Sequence, residues 1–242
     1  MTDAELAATL AHDAGQLLLD LRSKSTLAGK ELGNAGDKAA NNLLISAIHK
    51  YRPDDGLLSE ESKDTNARLK KDRVWIIDPV DGTREYGEGR SDWAVHVALA
   101  IHNKAQLGAV SLPGLDMILR SDSPIDRPQR AEKLRLVVSR SRPAKEAVAV
   151  ADILDAELIP MGSAGAKAMA IVRGEADVYL HSGGQYEWDN CAPVAVAQAH
   201  GLHCSRIDGK PLEYNQPNTY LPDLLICHPQ DAKKILDLVG SL

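Results

Sequence analysis

Four acidic side chains stand where an apolar run gives way to a turn or to a helix start: Glu60 in Ser59-Glu-Glu-Ser62, Asp78 and Asp81 in Trp75-Ile-Ile-Asp-Pro-Val-Asp-Gly-Thr83, and Asp189 in Glu187-Trp-Asp-Asn190. Pro79 fixes its own φ and pushes Asp78 into an extended conformation, so the strand should end there and turn. Asp78 and Asp81 then converge above the strand end, with the carbonyl of Val80 as a further hard-oxygen ligand. Gly82 lets the backbone approach an anion, and Thr83 opens a helix whose free N–H groups bind phosphate.

Each segment alone has an ordinary structural use. Asp-Pro makes a turn, Glu60-Glu61 a charged edge, and Asp37 and Asp189 caps before helices expected at 37–51 and 191–199. Together they do not: two carboxylates 4 Å apart repel by about 4 kcal/mol even at an effective dielectric near 20, and need cations to coexist. Every candidate ligand is an oxygen, which suits Mg²⁺, with Mn²⁺ as a substitute, rather than Zn²⁺.

Apolar residues at three- and four-residue spacing predict a first amphipathic helix over 3–22, a Gly-rich polar stretch at 29–36 that is the candidate mobile element, and a second helix over 37–51. Short apolar runs at 56–59, 74–77, 93–101, 105–112 and 116–120 predict a mainly antiparallel sheet covered by these helices. Beyond the Pro- and Asp-rich segment 121–129 the rhythm alternates. Strands are expected at 134–139, 158–161 and 177–181, and helices at 143–154, 164–172, from 191 and from 230. The fold class is therefore α/β, with an α+β half over 1–125 and an α/β half over 126–242.

With 28 basic and 34 acidic residues the chain carries a formal charge of −6, which argues against a nucleic-acid binder but leaves room for a local anion site. No run approaches the ~20 apolar residues of a membrane span, and the acidic start lacks a secretory pattern. The three cysteines show no zinc or redox spacing and read as small buried hydrophobes in a reducing, cytoplasmic setting. Phe is absent, so Leu, Ile, Val and Ala must build the core, leaving six Tyr and three Trp as candidates for specific contacts.

The order Asp37, Glu60-Glu61, Asp-Pro-Val-Asp-Gly-Thr, Trp-Asp resembles the lithium-sensitive, Mg²⁺-dependent phosphatases of the inositol monophosphatase superfamily over nearly the whole chain, weakly from 120 to 135. Leu136-Val-Val-Ser-Arg-Ser-Arg142, Gly162-Ser-Ala-Gly-Ala-Lys167 and Glu187-Trp-Asp-Asn-Cys-Ala-Pro193 are most similar to the 3′(2′),5′-bisphosphate nucleotidases of the CysQ type. Arg142 departs from that pattern, standing where a histidine is common.

The resemblance implies a layered αβαβα sandwich. One Mg²⁺ would be held by Glu60, Asp78 and the Val80 carbonyl, a second by Asp78, Asp81 and Asp189, and a third, weaker ion would share Glu60 through water; Li⁺ would inhibit. Thr83, with Asp37 and Glu60, would orient the attacking water. Gly82 and Thr83 would clamp the phosphate, with Asp81 and Asp189 beside it. The implied reaction removes the 3′-phosphate of 3′-phosphoadenosine 5′-phosphate, giving AMP in a step linked to sulfate assimilation. Arg140, Arg142 and Lys167 are the cations for the 5′-phosphate, with Ser163 at the same pocket wall. Inositol phosphate or fructose 1,6-bisphosphate hydrolysis, or both activities together, and a non-catalytic metal-binding regulatory protein stay open as alternatives, as does a homodimer.

Overall fold

The computed structural model describes residues 1–126 and 129–242; the expected linker at 121–129 thus includes two positions, 127 and 128, outside the described residues. Two five-stranded sheets alternate with three pairs of helices. In the first sheet β1 (Gly56–Ser59) runs parallel to β2 (Arg73–Asp81), followed antiparallel by β3 (Ala94–Ile101), β4 (Lys104–Leu112) and β5 (Met117–Arg120). In the second, β6 (Arg135–Ser139) lies between β7 (Glu157–Met161) and β8 (Val178–Ser182), parallel to both, and β10 (Asp223–Cys227) and β9 (His203–Ser205) continue antiparallel.

Residue alternation along the strands explains the layering. In β3, Val95, Val97 and Leu99 face α1 (Asp3–Lys24) and α2 (Gly29–Tyr51), while Ala94, Ala98 and Ala100 face α5 (Ala164–Val172) and α6 (Glu187–Ala199). The other face of that helix pair meets Val137, Tyr179, Leu224 and Ile226 of the second sheet. Leu136, Val138, Leu180 and Leu225 point outward to α4 (Lys145–Leu154) and α7 (Pro229–Val239). This is the αβαβα sandwich, with small residues on β3 admitting the central helices closely. Among the described residues no helix is long and apolar enough to cross a membrane.

Several readings are corrected. The stretch 29–36 is not a loop: α2 begins at Gly29, because Gly33 and Gly36 let the helix pass against Thr83 and Tyr86, where a Cβ would lie 2.7 Å from each side chain. Asp37 is consequently a buried residue inside α2 and not its cap. Pro79 does not end the strand either. β2 continues to Asp81 through a bulge, pairing Asp78 with His96 and Asp81 with Ala94, and a bulge is one of the few places a sheet accepts proline. Asp189 lies in the first turn of α6, which starts four residues earlier than expected, with Tyr186 at the cap. β9 and β10 are additional strands. Cys191 and Cys227 are buried, whereas Cys204 is only half-buried.

Candidate active site

The ends of β1 and β2 and the first turns of α5 and α6 meet at one point. There Asp78, Asp81 and Asp189 each offer a carboxylate oxygen, all within 4.8 Å of one another. Glu60 follows β1 at the rim, exposed as a residue, but its carboxyl turns in among the other acids and reaches Asp78. The turn carrying it is fastened to α2: Ser59 donates to Asn41 Oδ1 at 2.7 Å and Asn41 Nδ2 donates to Ser62 at 3.1 Å. One helical turn before Asn41, Asp37 faces the same region, with Oδ1 buried and lacking a hydrogen-bond partner.

The turn after β2 has the expected form. Gly82 adopts φ +89°, closed to most side chains, and precedes the short helix α3 (Thr83–Gly87). The Thr83 hydroxyl donates to the Val80 carbonyl at 3.0 Å and also lies within reach of the Asp37 carboxyl.

Electrostatics separate Asp81 from its neighbours. Burial, with the charges of Glu60, Asp81 and Asp189, raises Asp78 well above the usual carboxylate range. Burial first, and neighbouring carboxylates second, push Asp37, Glu60 and Asp189 up to about 7. For Asp81 the cost of burial is outweighed by the donors around it, and its carboxyl is held down at about 2. Those donors are the amides of Ala164 at 3.0 Å and Gly165 at 2.6 Å and the Ser163 hydroxyl, joined by the His96 ring, whose Nε2 makes a charge contact with Asp81 at 3.1 Å outside hydrogen-bond geometry. A cluster of carboxylates in which burial and mutual repulsion disfavour the charged form of all but Asp81, beside a buried Asp37 oxygen with no hydrogen-bond partner, is an all-oxygen donor set that fits hard divalent cations.

The cationic candidates are dispersed. Arg140 is ion-paired with Glu85 and Glu88, both at 2.7 Å. Lys167 is buried; its Nζ donates to the Ser163 carbonyl at 2.7 Å and to the Gly162 carbonyl, and burial lowers its pKa to about 8. Arg142 is exposed and lines a groove of about 470 Å³ with Glu146, His181 and Gly184. His181, pushed down to about 4 by burial and then by the charges of Lys167 and Arg142, lies within the field of both.

Two features escaped the sequence reading. His96 is fully buried on the inward face of β3, where its signal was a polar residue between alanines in an otherwise apolar strand. Tyr186 stacks on Trp188 with ring centroids 4.9 Å apart, and Tyr220 meets Tyr186 edge-on at 5.5 Å. Only the adjacency of Tyr186 to Glu-Trp-Asp pointed there.

Comparison with known proteins agrees with this architecture. A protein 44% identical over the whole chain and 95% of its own length is the 3′-phosphoadenosine 5′-phosphate phosphatase of Mycobacterium leprae. The phosphatase of the same name from Mycobacterium bovis is 47% identical, covering 95% of this chain and 90% of its own. The crystal structure of inositol monophosphatase II from Staphylococcus aureus superposes with a TM-score of 0.82 at 20% identity, covering 96% of this chain and 93% of that one, and so shares the fold. The model of the inositol monophosphatase family matches residues 2–240, and the chain belongs to that family.

Proposed function

We propose that the protein is a Mg²⁺-dependent phosphomonoesterase that hydrolyses the 3′-phosphate of 3′-phosphoadenosine 5′-phosphate to give AMP and phosphate. The observation that carries the hydrolytic part is the convergence of Asp78, Asp81 and Asp189 on one point, with Glu60 at its rim and the Thr83 hydroxyl alongside. Asp78, Asp81, Asp189, Glu60 and the Val80 carbonyl would hold the cations. When bound, these supply charge neutralisation at the phosphate and acidify a water for in-line attack.

The remaining work falls to the chain itself. Thr83, set between the Val80 carbonyl and Asp37, orients the attacking water, and the amides of Gly82 and Thr83 hold phosphate oxygens. Arg142, whose guanidinium opens on the groove, meets the 5′-phosphate. Ser163, Lys167 and Arg140 serve by shape: Lys167 ties down the carbonyls of Gly162 and Ser163, while Arg140 ties Glu85, which packs on Gly162, to the end of β6.

The nucleotide is favoured over an inositol phosphate by the names of the near-full-length relatives and by the aromatic group beside Asp189. Tyr186 and Tyr220 are 40% and 41% exposed, and a purine has a π-face to stack on such rings, whereas inositol has none.

Phosphate release from 3′-phosphoadenosine 5′-phosphate, inositol 1-phosphate and fructose 1,6-bisphosphate, with and without Mg²⁺, tests the reading. The nucleotide should have the highest kcat/KM, with no turnover without metal and inhibition by Li⁺. Equal or faster turnover of inositol phosphate would overturn the substrate assignment. Metal-independent turnover would overturn the site.

A further inference from the structure

His96 joins three elements at the acidic cluster. It projects from β3 on the same face as Asp78, its register partner across the bulge in β2. Its Nδ1 lies 3.0 Å from the carbonyl of Trp188, which can only accept, so Nδ1 carries a proton and donates. Its Nε2 lies 3.1 Å from Asp81 Oδ2, a charge contact outside hydrogen-bond geometry that leaves this buried nitrogen without a hydrogen-bond partner and aimed at the acidic cluster. The start of α5 closes over the ring: a Cβ on Gly165 would fall 2.0 Å from Nε2, so the imidazole occupies the space a side chain there would need. The ring therefore cannot swing away, and it spans the gap between Asp81 and the residue preceding Asp189.

We propose that His96 is a positioning residue that sets the spacing and orientation of Asp81 and Asp189 and so governs the affinity of the cation these two share, with less effect on the one held by Glu60 and Asp78. The Trp188 arm fixes the first turn of α6, hence Asp189. The other arm restricts rotation of the Asp81 carboxylate, whose remaining contacts are the Ser163 hydroxyl and the amides of Ala164 and Gly165. Groups that orient ligands from behind in this way typically change metal affinity by about 10–100-fold when removed.

The two arms are separable by substitution. The amide of asparagine falls near the Nδ1 position and can keep the bond to Trp188, whereas that of glutamine reaches the Nε2 position and can keep the contact with Asp81. The experiment is Mg²⁺ binding by calorimetry, and Mn²⁺ binding followed by electron paramagnetic resonance, on wild type, His96→Asn and His96→Gln, with melting temperature and the Mg²⁺ dependence of kcat measured alongside. The expected result is loss of at least tenfold in affinity at one class of site in His96→Asn, a smaller loss in His96→Gln, and recovery of most of the wild-type kcat at saturating Mg²⁺. Wild-type affinities in both variants, with only a lower melting temperature, would overturn the proposal and leave His96 a packing residue. So would a uniform loss at every site, or a greater loss in His96→Gln. The inference rests on the metal-dependent reading above, and the two fail differently: wild-type protein that binds no Mg²⁺ sinks that reading, whereas wild-type binding unchanged in the variants sinks this one alone.

Discussion

A Cβ placed on Gly33 would fall 2.7 Å from the Cγ2 of Thr83 and 3.2 Å from its carbonyl oxygen. The second helix thus touches the turn that ends β2 with bare backbone. Three residues on, Gly36 does the same against the ring of Tyr86, which donates its hydroxyl to the carbonyl of Leu18 in the first helix. The water-orienting hydroxyl proposed for Thr83 is accordingly held by glycines about fifty positions earlier in the chain.

Gly33→Ala separates local from tertiary effects. In an isolated helix the change is favourable by about 0.5–1 kcal/mol. Here Thr83 has to move, and displacements near 1 Å at a reacting centre can cost about 100-fold. The expected outcome is a drop in kcat of tenfold or more, with a melting temperature changed by only a few degrees. Wild-type kcat in the purified variant would show that Thr83 does not depend on this contact.

Asp81→Asn should abolish most activity and also lower stability. The carboxylate accepts from the amides of Ala164 and Gly165 and from Ser163, and His96 Nε2 faces it at 3.1 Å as a charge contact. An amide presents donors to some of these donors, and leaving a buried group unsatisfied costs about 1–3 kcal/mol. Steady-state kinetics at saturating Mg²⁺ and a thermal melt check both parts; a variant with full turnover would remove Asp81 from the site.

The same physics sets how much of this was legible in the sequence. The convergence of Asp78, Asp81 and Asp189 could be read because each carboxylate sits at an element end that local residues define: Gly82 after the strand, and an apolar helix after Trp-Asp. The early start of α2 could not, because glycine lowers helix propensity locally and only contact with Thr83 and Tyr86 explains its use. β10 could have been read from Leu-Leu-Ile-Cys and was not. His96 was hidden for another reason: one polar residue in an apolar strand says nothing until the bulge and α6 bring Asp81 and Trp188 to its two nitrogens.

The raised carboxyls give a pH dependence that metal should erase. Asp37 and Asp189 rise from 3.8, and Glu60 from 4.5, to about 7 in the folded protein. An acid whose folded value is raised contributes stability that is complete below its unfolded value and is lost as pH rises through the folded one. Protein in EDTA should therefore lose melting temperature as pH rises from about 5 to about 7 and level off above that, and Mg²⁺ should restore more of it at pH 8 than at pH 5. Binding near pH 7 should release protons, seen as a calorimetric heat that varies with the ionisation enthalpy of the buffer. A flat melting temperature in EDTA across this range would count against the crowded, metal-free cluster.

In the second half the sign reverses. Asp177 is fully buried, and although burial opposes its charge, its bonds from Arg135 and the amides of Ala131 and Arg135 hold its carboxyl below the usual value. Its contribution is present above the unfolded pKa of 3.8 and disappears as acid takes the carboxyl through its lower folded value. Asp177→Asn should melt lower than wild type at pH 7, with the gap narrowing below pH 4. A gap independent of pH would assign the loss to packing alone.

Arg142 bears on substrate choice. Its guanidinium lies 3.7 Å from where a Cβ on Gly184 would stand, and the Gly184 amide donates to the Tyr220 hydroxyl at 3.1 Å. Tyr220 meets Tyr186, and the Tyr186 amide donates to Asp189 Oδ2 at 2.6 Å. A continuous chain of contacts therefore runs from the acidic cluster across exposed aromatic rings to one exposed cation, which places a phosphate site, aromatic faces and a second anion site around one groove. Arg142→Ala removes the far end of this chain and leaves the near end untouched. KM for 3′-phosphoadenosine 5′-phosphate should rise about tenfold, the scale of one charge-assisted contact of 1.5 kcal/mol or so, with kcat nearly unchanged. KM for inositol 1-phosphate, which has no second phosphate to place there, should stay at its wild-type value. An equal rise for both substrates would mean that Arg142 supports the fold of the groove and does not contact the ligand.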